Sequence, residues 1–363
     1  MNLKIKNMFH ILSFLCSGTF ILVILFTVLS RRSENMHFFL CKEYLHYPTL
    51  RYHHPVNGSL VGLAFQANTL EILKKMFCHE SNLYSFKSLN SLNTEHIPFV
   101  TAANDVYFQN VLVTIRSVQM HFPYARIVLY DLGLERNQSE YASKLCNVKV
   151  MKFPFDEFPE FVSTLSEFRW KPIILMLSLM EYGTLWYLDS SIMLTSSNLL
   201  PVYNLINQLH PNEADTNGKC SLLFHSSSGH GIFSATNPKM YDYFPTNLEK
   251  LKNTEMFESG IIFASYSEEV YSVLFWWEDF IVYCKACAIE GPCMAPPDSN
   301  SFCQFERNRY RNYAFCHRYD QSAFNLLLAN LLHYKSDRWS SGMSYFYLVR
   351  RNQRDETNFP VMC

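Results

Sequence analysis

The chain has 363 residues, enough for one large domain or two small ones with a full apolar core. Its 31 Lys and Arg nearly cancel its 32 Asp and Glu, leaving a net charge of −1 with no basic stripe, which argues against nucleic acid as a partner. The 30 Phe and 22 Tyr suit a thick α/β core or an aromatic-lined cleft, and composition alone does not choose between them.

Residues 1–8 form a short basic tail carrying Lys4 and Lys6, and residues 9–29 are apolar or small except for His10. A run of that length spans a bilayer, which takes roughly 20 residues. A cleaved signal peptide is the competing reading; the run is longer than a usual signal core and no small-x-small site closes it, which favours a retained signal-anchor. Arg31 and Arg32 on the far side balance Lys4 and Lys6, so charge does not set the orientation. Ten cysteines follow Cys16, and two acceptor sequons, Asn57-Gly58-Ser59 and Asn137-Gln138-Ser139, accompany them. An even cysteine count after a membrane-targeting start predicts disulfides in an oxidising compartment. The expected protein is therefore a single-pass type II membrane protein of the Golgi or another secretory-pathway membrane, its main domain lumenal. Residues 30–95 read as a stem and N-terminal lumenal extension with a short strand at 60–65, residues 96–335 as the main domain, and residues 336–363 as a C-terminal extension.

The main domain opens with a strand at 98–103 that ends in small residues, where a flat ligand can approach the backbone, and Asn104 and Asp105 follow. A helix at 107–121 places Val111, Ile115 and Val118 on one face, and Pro123 closes it. Strands at 125–132 and 148–153 come next. Pro172 suits the first turn of another helix, and Gly183 stands where that helix should stop. Thr184-Leu185-Trp186-Tyr187-Leu188 is a continuous apolar run, as expected of a strand covered on both faces, and it delivers Asp189 at its end. Ligands of open α/β sheets bind beyond the carboxyl ends of the strands, which makes Asp189 the leading candidate for a site. Farther on, short strands are expected at 221–225 and 260–264, a helix at 268–282, a cysteine-bearing loop at 284–316 and a last helix at 320–332. Alternating strand and helix with short connections predicts an α/β fold with a mostly parallel sheet flanked by helices, followed by an irregular, disulfide-bearing second half.

Four segments in this order resemble a GT-A glycosyltransferase: Val100-Thr101-Ala102-Ala103-Asn104-Asp105, Tyr187-Leu188-Asp189-Ser190-Ser191, Ser259-Gly260-Ile261-Ile262-Phe263 and Tyr319-Asp320-Gln321-Ser322-Ala323-Phe324-Asn325. Tyr130-Asp131-Leu132-Gly133-Leu134, Arg169-Trp170-Lys171-Pro172 and Cys293-Met294-Ala295-Pro296 are similar to features of an invertebrate-expanded family that carries a domain-of-unknown-function label. A more distant likeness is to glycogenin-type retaining transferases. The resemblance spans residues 97–332 and implies a GT-A-like enzyme that takes a nucleotide-sugar donor and a glycan or glycoprotein acceptor, with a divalent cation, Mn²⁺ or Mg²⁺. It implies catalytic roles for Asp189, Lys171 and Asp320, with Lys171 meeting the departing diphosphate. Ala102, Asn104, Asp105 and Gln321 would line the donor. Asp189 and Ser191 would stand in the D-x-D metal motif, where Ser191 replaces the second carboxylate with a hydroxyl. His225, His230, His317 and His333 are further candidate donors.

Each of these residues has a structural alternative. Asp189 can cap a turn, Lys171 can be an exposed first-turn lysine, Asp320 can be a helix N-cap, and Asn104 with Asp105 can close a strand-to-helix turn. Glu258 reads as part of a solvated turn. Cys284-x-x-Cys287 with Cys293, Cys303 and Cys316 offers zinc spacing, against which the even lumenal count favours disulfides. Three function classes follow: a glycosyltransferase; a transferase fold that has lost its chemistry and serves as a glycan- or protein-binding scaffold; or a secreted or surface recognition domain, which would be cleaved near Ser30.

Overall fold

Apolar runs between residues 97 and 190 become strands that cannot satisfy their backbone groups alone, and they pair into one sheet. The computed structural model describes residues 51–54, 58–78, 94, 97–207, 222–265, 287–350 and 360–363. In chain order these form β1 (Arg51–His54), β2 (Gly58–Val61), α1 (Ala67–Cys78), β3 (Phe99–Ala103), α2 (Phe108–His121), β4 (Ile127–Asp131), α3 (Arg136–Ala142), β5 (Val148–Lys152) and α4 (Trp170–Tyr182). There follow β6 (Thr184–Leu188), β7 (Ile192–Leu194), α5 (Leu200–Asn207), β8 (Leu222–Phe224), β9 (Ser227–Gly231), α6 (Leu248–Leu251), β10 (Glu255–Phe257), β11 (Ile261–Ser265), α7 (Gly291–Met294), α8 (Tyr319–Leu331) and β12 (Tyr347–Val349). The chain divides into two units; residues 49–69 and 82–363 form the one that carries everything below.

The central sheet runs β5-β4-β3-β6-β11-β8. β3 pairs parallel with β4 and β6, and β4 with β5. β11 enters reversed, antiparallel to both β6 and β8. The expected mostly parallel α/β sheet is thus present with one inverted strand. That inversion brings the start of β11 to the edge where β3 and β6 end, and the site depends on it.

Strand parity sorts the two faces. Trp186 and Leu188 of β6 share a core with Phe99, Ile127, Leu129, Ile261 and Phe263, and with Val111, Ile115 and Val118 of α2. The apolar stripe expected of the helix is the face it buries. On the opposite face the Tyr130 hydroxyl lies 3.3 Å from Ser178 of α4. β3, β6 and β11 are buried throughout, as continuous apolar runs require. α4 ends at Gly183, whose φ of 71° closes it with a left-handed cap donating to the Leu179 carbonyl.

Disulfides join Cys146 to Cys363, Cys287 to Cys293 and Cys303 to Cys316, which realises the disulfide reading and removes these thiols from any zinc site. The tail is also held by Gln119, whose side-chain oxygen accepts from the Val361 N–H at 2.6 Å. β12 pairs with β7, so the last part of the chain returns to the strand after Asp189. Arg169 is buried and donates to the carbonyls of Ala288, Glu290 and Gly291, pinning the Cys287–Cys293 loop to the start of α4.

Two expectations change or fall outside the description. The strand expected at 60–65 ends at Val61, and residues 62–66 are not strand. The membrane segment 9–29, Cys16, Cys41, Cys220, Cys284 and the helix at 268–282 lie outside the described residues. Among the described residues no helix is long and apolar enough to cross a membrane.

A Cβ built on Gly183 meets nothing within 4 Å, so Gly183→Ala tests backbone strain alone. The expected loss is about 1 kcal/mol, read as a lower urea midpoint at unchanged m-value. A loss near zero would mean that the helix end relaxes.

Candidate active site

Asp189 is the first residue past β6 and keeps the parity of Tyr187, so it points to the α4 face of the sheet. The β3–β6 ladder ends at Thr101 and Leu188, and Ala102 and Asp189 leave it together. Because β11 is inverted, Gly260 stands opposite Asp189 and its carbonyl accepts the Asp189 N–H at 2.7 Å. α4 starts beneath this edge and presents Lys171 in its first turn. α8 starts there too and presents Asp320 in its first turn.

Three of the expected residues therefore meet. The Lys171 Nζ lies 3.0 Å from Asp189 Oδ1 and 2.9 Å from Asp320 Oδ2. It also reaches the Ser259 carbonyl at 3.4 Å. The Ser259 hydroxyl donates to Asp320 Oδ2 at 2.7 Å, and the Tyr187 hydroxyl donates to Asp189 Oδ1 at 2.8 Å. The Lys171 side chain is 2% exposed and that of Asp320 5%, while that of Asp189 is 28% exposed. One cation sits between two anions, and the surplus negative charge opens to solvent at Asp189.

The protonation states follow from burial and neighbours. Burial pushes the Lys171 ammonium down, but Asp189 and Asp320 outweigh it and raise it above its ordinary value. Burial pushes the Asp189 carboxyl up; Lys171 opposes this, Asp320 adds to it, and the result is a raised value. Burial and the Asp189 charge drive the Tyr187 phenol well above its ordinary value, so it remains a donor.

The geometry corrects several structural alternatives. Lys171 is not an exposed first-turn lysine, and it also does not face outward toward a diphosphate: both carboxylates hold it inside. Asp320 is not the N-cap of α8; that position is Arg318, and the Asp320 carboxylate turns to Lys171 and Ser259. Asn104 does close a turn, its side-chain oxygen accepting the Tyr107 N–H at 3.3 Å. Asp105 is exposed and its N–H donates to the Gly133 carbonyl, tying the turns after β3 and β4 together. Ala102 is buried at the end of β3, and Gln321 is half-buried beside Asp320. Sequence reading missed Tyr187 and Ser259. Tyr187 was legible from its i, i+2 relation to Asp189, whereas only the inverted strand explains Ser259.

The divalent cation implied by the D-x-D likeness finds a poor donor set. Asp189 is already engaged by Tyr187 and Lys171, and Ser191 offers a neutral hydroxyl. Among the described residues no group of three or more His, Cys, Asp or Glu stands together to hold a metal. The candidate histidines serve elsewhere. Burial pushes His225 to about 3, and its Nδ1 lies 2.7 Å from the Ser341 hydroxyl. Burial pushes His317 to about 4; its Nδ1 accepts from the Asn237 N–H and its Nε2 donates to the Met294 carbonyl. His230, also pushed to about 4 by burial, stacks on Phe305. His333 takes a left-handed φ of 55° just past α8. Ser190 and Ser191 instead line a shallow depression with Asn110, Thr114, Met193 and Arg350.

A family model described as a protein of unknown function (DUF1647) matches residues 42–176, a stretch that includes Lys171 but ends before Asp189 and Asp320. Among solved structures the chain is similar to the galactosyltransferase LgtC in complex with donor and acceptor sugar analogs, at 16% identity and a TM-score of 0.30, over 47% of this chain and 58% of that one. It is similar to the WbbM bifunctional glycosyltransferase at 15% identity and a TM-score of 0.38, over 76% of this chain and 45% of that one. Mouse xyloside xylosyltransferase 1 overlays at 10% identity and a TM-score of 0.37, over 68% of this chain and 84% of that one. The chain spans about half the length of the first two. No curated protein matches.

Replacing Lys171 by Met removes the only cation between the two carboxylates in this cluster. Breaking such a buried pair costs about 3–5 kcal/mol. The native Lys171 value lies above the unfolded 10.5, so its contribution is complete below pH 10.5 and fades only above it. In the variant the Asp189 carboxyl rises further, and a group raised in the folded state gives stability that grows as pH falls. Urea unfolding should show the loss at pH 7.5 and partial recovery at pH 5; a pH-independent deficit would contradict the charge assignment.

Ser191→Asp supplies the missing carboxylate. Millimolar Mn²⁺ should raise the melting temperature of this variant by about 2 °C and leave the parent unmoved. An equal rise in both would mean that the parent holds the cation by other donors.

Proposed function

We propose that the chain is a glycosyltransferase that moves a sugar from a nucleoside-diphosphate donor to a glycan or glycoprotein acceptor. The observation that supports this reading is the Asp189 carboxylate: delivered to the sheet's carboxyl edge by a buried strand, fixed by Lys171 and Tyr187, and open on one side. As the bond to the diphosphate breaks, positive charge develops at the sugar's anomeric carbon. A preorganised cluster with one surplus negative charge stabilises such a centre more than the neutral ground state, which is the requirement for rate acceleration.

Each residue then has a part. Asp189 faces the sugar and its developing charge. Lys171, sealed from solvent, fixes the Asp189 carboxylate and opposes the rise that burial and Asp320 impose on it. Asp320 balances Lys171 and, through Ser259, ties α8 to the start of β11. Asn104, Asp105 and Ala102 border the same edge, where a base or ribose can approach the open backbone. No step is assigned to a divalent cation, because the donors do not fit one.

The location proposed for this activity is the lumen of the Golgi or a related secretory compartment, with residues 9–29 as a type II membrane anchor. The disulfides support an oxidising compartment. A second reading, a sugar- or protein-binding scaffold without turnover, is favoured by Ser191 in place of a second carboxylate.

A screen of radiolabelled sugar nucleotides for hydrolysis and transfer separates these readings. The transferase predicts turnover with at least one donor, lowered about 100-fold or more by Asp189→Asn while the circular dichroism spectrum stays native. Binding of UDP or GDP without turnover would favour the scaffold. The absence of both nucleotide binding and turnover would refute the transferase and leave the scaffold standing.

A further inference from the structure

Two aromatic residues beside the Asp189–Lys171–Asp320 cluster hold left-handed backbones: Phe168 with φ 54° and Tyr319 with φ 43°. Bulky residues seldom adopt this region, and the strain persists only where surrounding structure enforces it. For Phe168 the enforcement is visible. Three short 3₁₀ turns lead into it, its N–H donates to the Leu165 carbonyl at 3.2 Å, and its own carbonyl accepts the Lys171 N–H at 3.1 Å.

That backbone duty suits glycine or asparagine better than phenylalanine. Core packing does not account for the ring either, since Phe168 is 36% exposed. Covering Lys171 is an incomplete explanation: the ring lies 5.5 Å from the ammonium, but the rings of Tyr187 and Trp170 already stand 5.4 and 6.0 Å from it. The side chain is nonetheless held in place, tilted between Trp170 at 6.1 Å and Tyr319 at 6.4 Å. Tyr319 is itself anchored, its hydroxyl donating to the Ser299 carbonyl at 3.3 Å. The result is a partly exposed aromatic residue whose ring centroid lies 5.5 Å from the same ammonium that pairs with Asp189 at 3.0 Å.

We infer that Phe168 is a sugar-stacking platform, on which the apolar C–H face of a donor pyranose rests while its anomeric carbon faces Asp189. Aromatic faces carry negative charge density and attract polarised C–H groups, and a ring fixed before binding loses little entropy when it stacks. The inference rests on the glycosyltransferase reading and deepens it: it assigns to one side chain the part of donor affinity that comes from the sugar rather than from the nucleotide.

The test compares full chains carrying Phe168, Phe168→Leu and Phe168→Tyr by isothermal titration with UDP, GDP and a panel of UDP- and GDP-linked hexoses. Leucine keeps an apolar cover over Lys171 but lacks the aromatic face; tyrosine keeps the face. The expected result is a roughly three- to tenfold loss of nucleotide-sugar affinity in Phe168→Leu, with the bare diphosphates unchanged and Phe168→Tyr close to the parent. Equal affinity of the parent and the leucine variant for every sugar nucleotide would overturn the platform and leave the transferase reading standing. Equal weakening of diphosphate and sugar nucleotide would also overturn it, assigning Phe168 to support of Lys171. A parent that binds neither diphosphates nor sugar nucleotides would refute the function and the platform together.

Discussion

One ammonium group holds the candidate active-site edge of this protein together. Lys171 contacts Asp189 after β6, Asp320 at the start of α8 and the Ser259 carbonyl before β11, so three elements distant in sequence converge on a single buried charge. Such an arrangement is not favoured for stability alone. Removing charges from water is expensive, and apolar residues of similar volume often serve as well. A cation in the first turn of a helix also opposes the helix dipole. The carboxylates offset both costs, and what the arrangement achieves is position: one carboxylate fixed and partly open at a strand end.

The surroundings repeat this logic with carboxylate and carbonyl acceptors together. Arg169, two residues before Lys171, is likewise buried at the start of α4; its Nε pairs with the Glu167 carboxylate at 2.5 Å, and its terminal nitrogens donate to the carbonyls of the Cys287–Cys293 loop. Glu290 in that loop accepts from the Gln66 N–H and the Thr69 hydroxyl. The irregular second half is thereby fastened to the first turn of α4 and holds the floor beneath the charge cluster. Disulfides and buried hydrogen bonds do here what regular ladders do in the sheet.

The departure at Ser191 changes how the charge balance should be understood. In a two-carboxylate metal motif the strand end is a pair of anions waiting for a cation. In this chain the internal lysine is already the cation, and the hydroxyl of Ser191 adds no charge. On the glycosyltransferase reading proposed above, the cluster would serve a centre that becomes positive during reaction, such as a sugar losing its leaving group. It is less suited to gathering a metal or a diphosphate.

Much of this was legible in the residues themselves. The 3.6-residue stripe of α2, the Pro172 start and Gly183 stop of α4, and the unbroken apolar run of β6 are local signals, and the structure follows them because short-range sterics and burial decide them. Asp189 could be singled out for the same reason: a carboxylate straight after a doubly buried strand has few places to go. The second half was harder. No periodicity says that β11 runs opposite to β6, because a buried apolar run reads the same in both directions. That inversion alone places Ser259 and Gly260 beside Asp189. Nor does sequence say that Lys171 turns inward, since a lone lysine in a first turn is ordinarily solvated and only two carboxylates meeting it across 18 and 149 positions reverse the preference. The sequence by itself determined the elements, the strand-end carboxylate and the disulfide character. Only the tertiary structure decided which charges face one another, because charge pairing depends on distance in space and not along the chain.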